Sequence, residues 1–512
     1  MSADDFRPLG ELIAEHARAH PDRPALVQGD DRMNWVELDA LMDRTAAALQ
    51  RDGLRPGDAI VLAGAMTPRL AAVFLGVLRA GGVVAPLATS VTAEAFAAMR
   101  QDANPQRLFV DAQAAPLLAA GDAANCVSLD DRVDGAAPGR PFADWLAPPG
   151  ARPQPVAIRP GDAFNIIYSS GTTGTPKGIV QAHGMRWQHI QRGAKYGYGP
   201  DTVTLLSTPL YSNTTLVVFF PTLAFGGTVH LQAKFDAGAW LAIAERERVT
   251  HTMLVPVQVR RLLAHPDFDA RDLSAFRIKF CTSAPFAAEL KAEALRRWPG
   301  GLVEFYGMTE GGGTCILEAH ARPDKLHTVG QPAEGHDLRL IDEAGTEVPP
   351  GEAGEVVGRS GAMMVGYHGR PELTREAEWF SPEGLRFIRT GDIGRFDAEG
   401  FLTLFDRRKD MIISGGFNLY PSDLEAQLRQ HPAVHEAAVV GVPSAEWGET
   451  PVAFVERRPG DTTDAEALRN WLNGRVGRTQ RLAALVYVDG LPRSAIGKVL
   501  KRELREGYTG RH

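Results

Sequence analysis

Cysteine is scarce in this chain, which has only three in 512 residues. Cys126, Cys281 and Cys315 are odd in number and far apart, so they match neither a metal-ligand spacing nor a disulfide framework. Such cysteine usage fits a reducing compartment, and we expect a cytoplasmic protein.

A long apolar run is also missing. The longest nearly apolar stretch, LVVFFPTLAF from Leu216, contains a proline and is too short to span a membrane, so it predicts a buried core segment. The first residues, MSADDFRPLG, are acidic and have no apolar core, which argues against a signal peptide. We therefore expect no integral membrane contact.

Basic residues are not in excess. The chain has 55 Lys and Arg against 62 Asp and Glu, a net charge of −7, which argues against nucleic acid as the main partner. The composition, 44% hydrophobic and 23% charged, is ordinary for a soluble globular protein. The length predicts two or three domains.

Helical and strand-like patterns alternate along the chain from Leu9. Amphipathic helices are predicted near residues 9–20 and 35–54, and a buried helix is predicted to end at Gly81 and Gly82. Short apolar strands, in RPGDAIVLAG and VVAPLA, lie between and after them. This alternation predicts an α/β architecture with buried sheets. The shift to Pro, Gly and Ala over 130–160 predicts a surface connection.

The last hundred or so residues have their own pattern. Pro421 suits the first turn of a helix, and strands AAVVGV and PVAFVE, a helix around AEALRNWL, a strand LVYV and a basic tail follow. That is enough chain for a small α+β domain. We predict domains over 1–408 and 409–512, with a hinge at Arg407 to Asp410.

The stretch YSSGTTGTPKG, residues 168–178, combines glycines and hydroxyls with one positive charge. Its backbone N–H groups could form an anion-binding nest, and Lys177 suits a phosphate. It is not a Walker A loop: counted from Gly171, the second glycine is replaced by Pro176 and the Ser/Thr by Gly178. From the residues alone, a phosphate-binding loop and a flexible surface linker stay open.

Four further stretches follow the loop: YGMTE at 306–310, RTGD at 389–392, DRRKDMIISGGFNLYP at 406–421 and PRSAIGKVLK at 492–501. In this order and approximate spacing they resemble the adenylate-forming superfamily of acyl- and aryl-CoA synthetases, luciferase and peptide-synthetase adenylation domains. The resemblance covers nearly the whole chain, which is most similar to a free-standing carboxylic acid:CoA ligase. It implies a large N-terminal domain of packed α/β sheets and a small mobile α+β lid carrying a catalytic lysine.

The resemblance implies a two-step reaction. A carboxylate attacks the α-phosphate of ATP, with Mg²⁺ present, to give an acyl-adenylate and pyrophosphate, and the thiol of coenzyme A then displaces AMP to give a thioester. The implied partners are a small-molecule carboxylic acid, ATP and CoA, and a homodimer is one expected assembly. The lid would turn about its hinge between the two steps.

The resemblance assigns catalysis to Lys498, Thr309 and Glu310, with Glu310 as the magnesium ligand. Lys498 would contact the substrate carboxylate and the α-phosphate together. The residues implied to bind nucleotide or CoA are Ser169, Ser170, Gly171, Thr172, Thr173, Gly174 and Lys177 at the β- and γ-phosphates, Ser283, Ala284, Pro285, Tyr306 and Gly307 around the adenine, Asp392 and Arg407 at the ribose, Lys409 at the hinge, and Ser414, Gly415 and Gly416 beside the CoA arm.

Taken without the resemblance, these residues have ordinary structural explanations. Thr309 and Glu310 could start a helix, Tyr306 could pack in the core, and Thr-Gly-Asp is a common turn. Arg407 could be a surface residue, and Lys498 one more lysine of a basic tail.

The acid is suggested by the segment STPLYSNTTLVVFFPTLAFGGTVH, residues 207–230, which contains no Asp, Glu, Lys or Arg. An amino-acid ammonium would want a carboxylate and a dicarboxylic acid an arginine, because an unpaired buried charge is costly. We therefore favour a monocarboxylic acid with a neutral, mostly apolar tail, aromatic or of medium to long chain. The implied substrate residues are Tyr211, Ser212, Thr214, Gly311 and Gly312.

Some readings of this pocket stay open. Many relatives have histidine where Ser212 stands. Ser212 and Asn213 could bind a polar substituent or simply turn the chain. Gly311 to Gly313 could widen the pocket or loosen a loop. Cys315 could line the pocket or be a buried structural thiol.

Two other functions are considered. A free-standing adenylation enzyme could load the thiol of a carrier protein, and free CoA as acceptor would distinguish it. A nucleotide-binding regulatory protein without catalysis is disfavoured by the presence of Lys498, Glu310 and Asp392.

Overall fold

The computed structural model describes residues 5–119, 121–130, 138–169, 177–407, 410–414, 417–444, 448–477, 480–494 and 497–508. The chain divides into two compact units, the first Met1–Asp337 with Gly358–Ile388 and the second Leu338–Val357 with Arg389–His512. The mixed α/β class predicted from the sequence is confirmed. The domain boundary at residue 408 stays a prediction.

The helices that the structure describes are α1 Leu9–Ala19, α2 Trp35–Arg51, α3 Pro68–Arg79, α4 Ala93–Ala103, α5 Phe142–Trp145, α6 His183–Gly193, α7 Asn213–Ala224, α8 Ala237–Arg246, α9 Pro256–Leu263, α10 Ala288–Arg297, α11 Pro371–Glu376, α12 Pro421–Arg429, α13 Ala465–Asn473 and α14 Lys501–Gly507.

The strands are β1 Pro24–Gln28, β2 Asp31–Asn34, β3 Ala59–Ala63, β4 Val83–Pro86, β5 Arg107–Val110, β6 Cys126–Ser128, β7 Arg140–Pro141, β8 Ala163–Ser169, β9 Lys177–Ala182, β10 Val203–Leu206, β11 Thr228–Leu231, β12 His251–Leu254, β13 Ile278–Cys281, β14 Gly301–Tyr306, β15 Cys315–Glu318, β16 Gln331–Pro332, β17 Asp337–Ile341, β18 Gly354–Arg359, β19 Gly366–Tyr367, β20 Glu378–Phe380, β21 Arg386–Phe396, β22 Leu402–Arg407, β23 Ile412–Ser414, β24 Phe417–Leu419, β25 Val434–Ser444, β26 Gly448–Arg457 and β27 Ala484–Tyr487.

Two sheets form the framework of the first unit. One has the order β16-β15-β14-β13-β12-β10-β11-β1-β2 and the other β19-β9-β8-β4-β3-β5-β6-β7. Strands β10 to β14 run parallel to one another, so their carboxyl ends lie at one edge of the sheet. In the other sheet, β8 and β9 form an antiparallel pair on either side of residues 170–176.

The helices begin where the sequence supplies caps. Asn34 and Glu37 form a capping box at the start of α2, with both hydrogen bonds at 2.9 Å. Thr67 caps α3, and Pro68 occupies its first turn. The main core of the first unit includes α3 and α7, whose Phe74 and Phe219 are fully buried. Burying such a ring contributes roughly 1.5–3 kcal/mol.

One expectation is wrong in part. The segment 130–160 is not only a surface connection, because its described residues include β7 and α5. Trp145 of α5 is fully buried, and its Nε1 donates to Asp52 Oδ2 at 2.8 Å. Isolated aromatic residues anchor this segment although its average composition is that of a loop. Residues 131–137 lie outside the described residues.

The second unit contains the predicted order of C-terminal elements. Strands β25 and β26 pair antiparallel, β27 joins β26 in parallel, and α12 and α13 cover the sheet with buried leucines such as Leu424 and Leu468. Among the helices that the structure describes, none is long and apolar enough to cross a membrane.

Lys279 is a charged residue inside the first unit. It is 2% exposed, and its Nζ donates to the carbonyls of Pro299 at 2.6 Å and Gly300 at 2.8 Å. Burial lowers its pKa to about 7 from an ordinary value of 10.5. Between these values the unfolded chain binds the extra proton, so the contribution of Lys279 to stability rises with pH.

We expect the difference in unfolding free energy between the wild type and Lys279→Met to grow in favour of the wild type from pH 7 to pH 10. The upper limit of the slope is about 1.4 kcal/mol per pH unit. Urea denaturation at several pH values measures it. The exposed Lys234 provides a control, since Lys234→Met should leave the pH profile unchanged. Parallel profiles for wild type and Lys279→Met would contradict the expectation.

Candidate active site

Predicted site residues follow the parallel strands of the first sheet at their carboxyl ends. Tyr211 comes after β10, Ser283 after β13, and Tyr306 is the last residue of β14. This edge is where open α/β sheets bind ligands. The short connections therefore place residues distant in sequence at one side of the sheet.

Ser283 has an unusual backbone conformation for a residue with a side chain, with a φ of 79°. Its Oγ lies 2.5 Å from Oγ1 of Thr214, near the start of α7. Such a conformation costs on the order of 1–3 kcal/mol and is found mainly at functional sites. The structure thus joins one predicted adenine residue to one predicted acid residue. Ala284 is half-buried and Pro285 is exposed.

A buried arginine lies beneath this edge. Arg186 of α6 is 1% exposed, and its guanidinium donates to Oδ1 of Asn165 at 3.0 Å, to Oδ1 of Asn213 at 2.7 Å and to Oε1 of Gln181. All of these acceptors are neutral amides. Within the described residues, no carboxylate forms an ion pair with Arg186. Burial lowers the pKa of Arg186 to about 9.

Gln181 extends this cluster to the YGMTE stretch. Its Nε2 donates to the backbone carbonyl of Thr309 at 2.6 Å. Gln181 lies on β9, which follows the glycine-rich loop. The strand that leaves the loop is therefore hydrogen-bonded directly to Thr309.

Glu310 is held by a second connection to the same sheet. The hydroxyl of Tyr367, on β19, donates to Glu310 Oε1 at 2.9 Å. The Nζ of Lys177 lies over the ring of Tyr367, 5.3 Å from its centroid. Burial and the Glu310 carboxylate raise the pKa of Tyr367, so its hydroxyl remains a donor. Tyr367 was missed in the sequence because it belongs to none of the recognised stretches.

The described residues do not form a metal site from protein ligands alone. In the part of the chain that the structure describes, no group of three or more His, Cys, Asp or Glu could hold a metal ion. A magnesium ion needs few protein ligands when phosphates and water supply the others. The Glu310 carboxylate, beside the strand that leaves the loop, fits such an ion, and magnesium binding stays a prediction.

The glycines after Glu310 are required by the backbone. Gly311 and Gly312 have φ of 76° and 84°, and a Cβ on Gly311 would lie 1.8 Å from the carbonyl oxygen of Ala362. A Cβ on Gly312 would lie 2.8 Å from the carbonyl oxygen of Gly358. The backbone at Gly311 and Gly312 therefore lies too close to Ala362 and Gly358 to leave room for side chains. This close approach accounts for the two glycines, and neither a wider pocket nor a looser loop is needed to explain them.

The other open residues of the predicted acid pocket have ordinary contacts. Ser212 is buried before α7, and its carbonyl accepts from the N–H of Thr215 at 3.1 Å, which begins the helix. The amide oxygen of Asn213 accepts a hydrogen bond from Arg186. Burial raises the pKa of the Tyr211 hydroxyl. Cys315 is fully buried, and burial raises the pKa of its thiol, as for a structural cysteine.

The second unit contains the remaining described site residues. Asp392 of β21 pairs in register with Arg407 of β22, so the two predicted ribose contacts lie opposite each other. Lys498 is bonded to Ser494: its N–H donates to Ser494 Oγ at 3.2 Å, and its carbonyl accepts from the Ser494 N–H at 2.8 Å. Ser414 ends β23 and is buried.

Several predicted residues lie outside the described residues. They are Ser170, Gly171, Thr172, Thr173, Gly174, Lys409, Gly415 and Gly416. Of Ser169 and Arg407 the backbone is described. Gly307 follows β14 and is exposed.

A small cavity of about 20 Å³, room for about one water, lies between α6 and α7. It is lined by His189, Arg192, Gly193, Tyr196, Tyr198, Val217, Val218, Pro221, Phe280 and Phe305. The contributions of α6 were missed because the search for charged residues covered only 207–230, and Arg186 and Arg192 precede that segment.

Known proteins are similar to this chain over nearly its whole length. Residues 13–368 match the AMP-binding enzyme family, and residues 423–498 match the AMP-binding enzyme C-terminal domain. Feruloyl-CoA synthase of an Amycolatopsis species is 33% identical over 98% of this chain and 99% of its own. Fatty acid–[acyl-carrier-protein] ligase ScoC of Streptomyces coeruleorubidus is 31% identical over 98% and 96%.

Solved structures of known proteins are also similar to this chain in fold. ATP-bound MatB from Rhodopseudomonas palustris superposes with a TM-score of 0.87 at 30% identity, covering 98% of this chain and 99% of that one. Fold and motifs together define an AMP-forming acid–thiol ligase of the acyl-CoA synthetase type. The chain belongs to the AMP-binding enzyme family. The recognised resemblance is confirmed, and the use of ATP and CoA goes with the family.

The close approach at Gly311 predicts a specific sensitivity. We expect Gly311→Ala to lower the melting temperature and to reduce pyrophosphate release, because the new methyl group displaces the backbone next to Glu310. Gly335→Ala is the matched control, since Gly335 has a similar φ of 74° but open space around it. It should cost only backbone strain, about 1 kcal/mol. Equal effects of both changes on activity would contradict the assignment.

Removing the tyrosine hydroxyl tests the connection to Glu310. Tyr367→Phe retains the ring below Lys177 but loses the hydrogen bond to the carboxylate, which is worth about 1.5–3 kcal/mol. We expect slower adenylation, by roughly tenfold or more, and a higher magnesium requirement. A magnesium titration of pyrophosphate release measures both, and an unchanged titration would show that this hydroxyl does not orient Glu310.

Proposed function

We propose that this ligase activates a carboxylic acid with ATP and passes the acyl group to coenzyme A. The observation that carries the proposal is the pair of hydrogen bonds by which β9 and β19 reach Thr309 and Glu310. They fix the strand that leaves the glycine-rich loop beside the residues predicted to act at the α-phosphate. A loop that was only a linker would need no such attachment.

The first half-reaction brings two anions together, so positive charge and N–H dipoles must offset their repulsion. We assign this task to the loop at 169–177, with Lys177 at its end, and to Thr309. The Glu310 carboxylate would hold a magnesium ion, which when bound supplies positive charge to the phosphates. Ser283, Ala284, Pro285, Tyr306 and Gly307 would surround the adenine.

The second unit contributes the remaining roles. Asp392 and Arg407, which pair in register, would bind the ribose, and the carboxylate of Asp392 can accept from both ribose hydroxyls. Lys498 would supply the cation that contacts the substrate carboxylate and the α-phosphate. Lys409, Ser414, Gly415 and Gly416 would serve the hinge and the passage of CoA.

The acid is proposed to be a monocarboxylic acid with a neutral tail. The segment 207–230 contains no Asp, Glu, Lys or Arg, which suits a neutral tail because an unpaired buried charge is costly. The similarity to a feruloyl-CoA synthase supports an aromatic acid. We also propose a cytoplasmic location and a homodimer, which cell fractionation and sedimentation analysis would test.

The direct test supplies ATP, magnesium, CoA and a mixed pool of aromatic and straight-chain acids to the purified protein. Mass spectrometry should detect one or a few acyl-CoA thioesters, with AMP and pyrophosphate formed in equal amounts. Omitting CoA should leave acyl-adenylate on the protein. Release of ADP instead of AMP would exclude the mechanism.

Lys498→Ala separates the two half-reactions. We expect adenylation to fall by a factor on the order of 100 or more, because the change removes charge stabilisation of the transition state. Thioester formation from supplied acyl-adenylate should be largely retained. Arg502→Ala is the neighbouring control, because the side chain of Arg502 is half-exposed on α14. Equal losses of Lys498→Ala in both half-reactions would refute this division of roles.

A second acceptor is favoured by one observation. The similar ScoC protein is a ligase for an acyl-carrier protein, so a carrier-bound thiol is the alternative to free CoA. Parallel assays with CoA and with a phosphopantetheinylated carrier protein distinguish them. Transfer only to the carrier would replace CoA as the acceptor without changing the adenylation step.

A further inference from the structure

Asp102 is an acidic residue of α4 to which the proposed function gives no role. It lies three residues after Met99 and directly before Ala103, both of which are buried in a core cluster. Its side chain is only 15% exposed. It also lies in the last turn of the helix, where a negative charge opposes the helix dipole. A carboxylate at this position therefore depends on partners outside its own helix.

The closest partner lies on the strand that enters the glycine-rich loop. The hydroxyl of Tyr168, on β8, donates to Asp102 Oδ2 at 2.8 Å. Burial and the Asp102 carboxylate raise the pKa of Tyr168, so the hydroxyl keeps the proton that it donates. A hydrogen bond to a charged acceptor is stronger than one between neutral groups. This contact therefore holds the end of β8 against α4.

Two side chains that follow β19 approach the same carboxylate. Nη2 of Arg370 lies 3.5 Å from Oδ1 of Asp102, and Nδ1 of His368 lies 3.7 Å from Oδ2. Both side chains are more than a third exposed, so each contact by itself contributes little to stability. Their position matters more, because His368 directly follows Tyr367, the residue that donates to Glu310.

The backbone brings the same elements together at Gly178, the residue after Lys177 on β9. The carbonyl of Gly178 accepts from the N–H of His368 at 2.7 Å. A Cβ on Gly178 would lie 3.1 Å from both Asp102 Oδ2 and Tyr168 Cε1. Strand β19 pairs with β9 over only two residues, so contacts beyond its end contribute to holding it in place.

We propose that Asp102 is a positioning residue for adenylation: by joining β8 to the segment after β19, it keeps Tyr367 in contact with Glu310. The ring of Tyr367 also lies below Lys177, whose Nζ is 5.3 Å from the ring centroid. Asp102 thus acts through Tyr367 on a predicted metal ligand and a predicted phosphate contact. The inference rests on the proposed function and adds α4, a helix with no predicted site residue.

The test measures the two half-reactions separately on the full-length protein. Asp102→Ala should slow pyrophosphate release about tenfold and raise the half-saturating magnesium concentration about threefold. Thioester formation from supplied acyl-adenylate should change by less than about twofold, because the phosphates assigned to Lys177 have left by then. Asp102→Asn retains an oxygen that can accept from Tyr168, so its effect on pyrophosphate release should be smaller, about threefold.

Asp122→Asn is the matched control, because Asp122 pairs with another residue of α4. It lies 3.3 Å from Arg100, and its side chain is 7% exposed. Within the described residues, its carboxylate forms no hydrogen bond to β8 or β19. We expect Asp122→Asn to lower the melting temperature and to leave the magnesium titration unchanged. A loss of pyrophosphate release equal to that of Asp102→Asn would indicate general stabilisation and overturn the inference.

A double-mutant cycle tests the route through Tyr367. In the Tyr367→Phe protein, adding Asp102→Asn should change the magnesium titration by less than about twofold, because Glu310 has already lost its hydrogen bond. Full additivity of the two changes would overturn the inference. Tyr168→Phe removes the donor but keeps the ring, and it should reproduce the effects of Asp102→Asn on both half-reactions.

Failure of this inference and failure of the proposed function give different results. Unchanged pyrophosphate release in Asp102→Asn and Tyr168→Phe, with an active wild type, would overturn the positioning role and leave the ligase activity intact. Equal losses of Asp102→Ala in both half-reactions would also overturn it. Absence of pyrophosphate release by the wild type with every acid tested would refute the proposed function itself.

Discussion

One buried guanidinium organises the centre of the first unit. Arg186 gives its donors to Asn165 on β8, Gln181 on β9 and Asn213 on α7, and Gln181 continues to Thr309. A buried charge is tolerated only when its hydrogen bonds are satisfied, so these four elements cannot shift independently. The two strands beside the glycine-rich loop, the acid-pocket helix and the YGMTE stretch are therefore fixed relative to one another.

Much of the fold could be predicted from the sequence because local signals agree with the global structure. The capping box at Asn34, the proline at the start of α12 and the mostly apolar α7 each have a strong local pattern. Segment α5 was missed because only two aromatic residues distinguish it from a loop. The positive φ of Ser283 has no signature in the local sequence, because serine rarely adopts this conformation.

The sequence pointed to candidate site residues only where they form continuous stretches. Thr309, Glu310 and Lys177 belong to such stretches, whereas Tyr367 donates a hydrogen bond to Glu310 from a strand with no recognisable motif. Arg186 was missed for another reason: it lies on α6, outside the segment 207–230, although it donates to Asn213 of that segment. The charged residues around a binding site come from several segments of the chain, so they cannot be predicted from the sequence of one segment.

The tight backbone approach at Gly311 and Gly312 has a consequence for how relatives with new substrates could arise. In this backbone, neither position can gain a side chain without displacing the carbonyl of Ala362 or Gly358, so a substitution there requires the backbone to move. Met185 of α6 lies at the same corner, because a Cβ on Gly311 would be 3.1 Å from its Cε. A relative with a side chain at this corner should therefore differ in the path of the backbone after Glu310 and in its contact with α6, and not at one position alone.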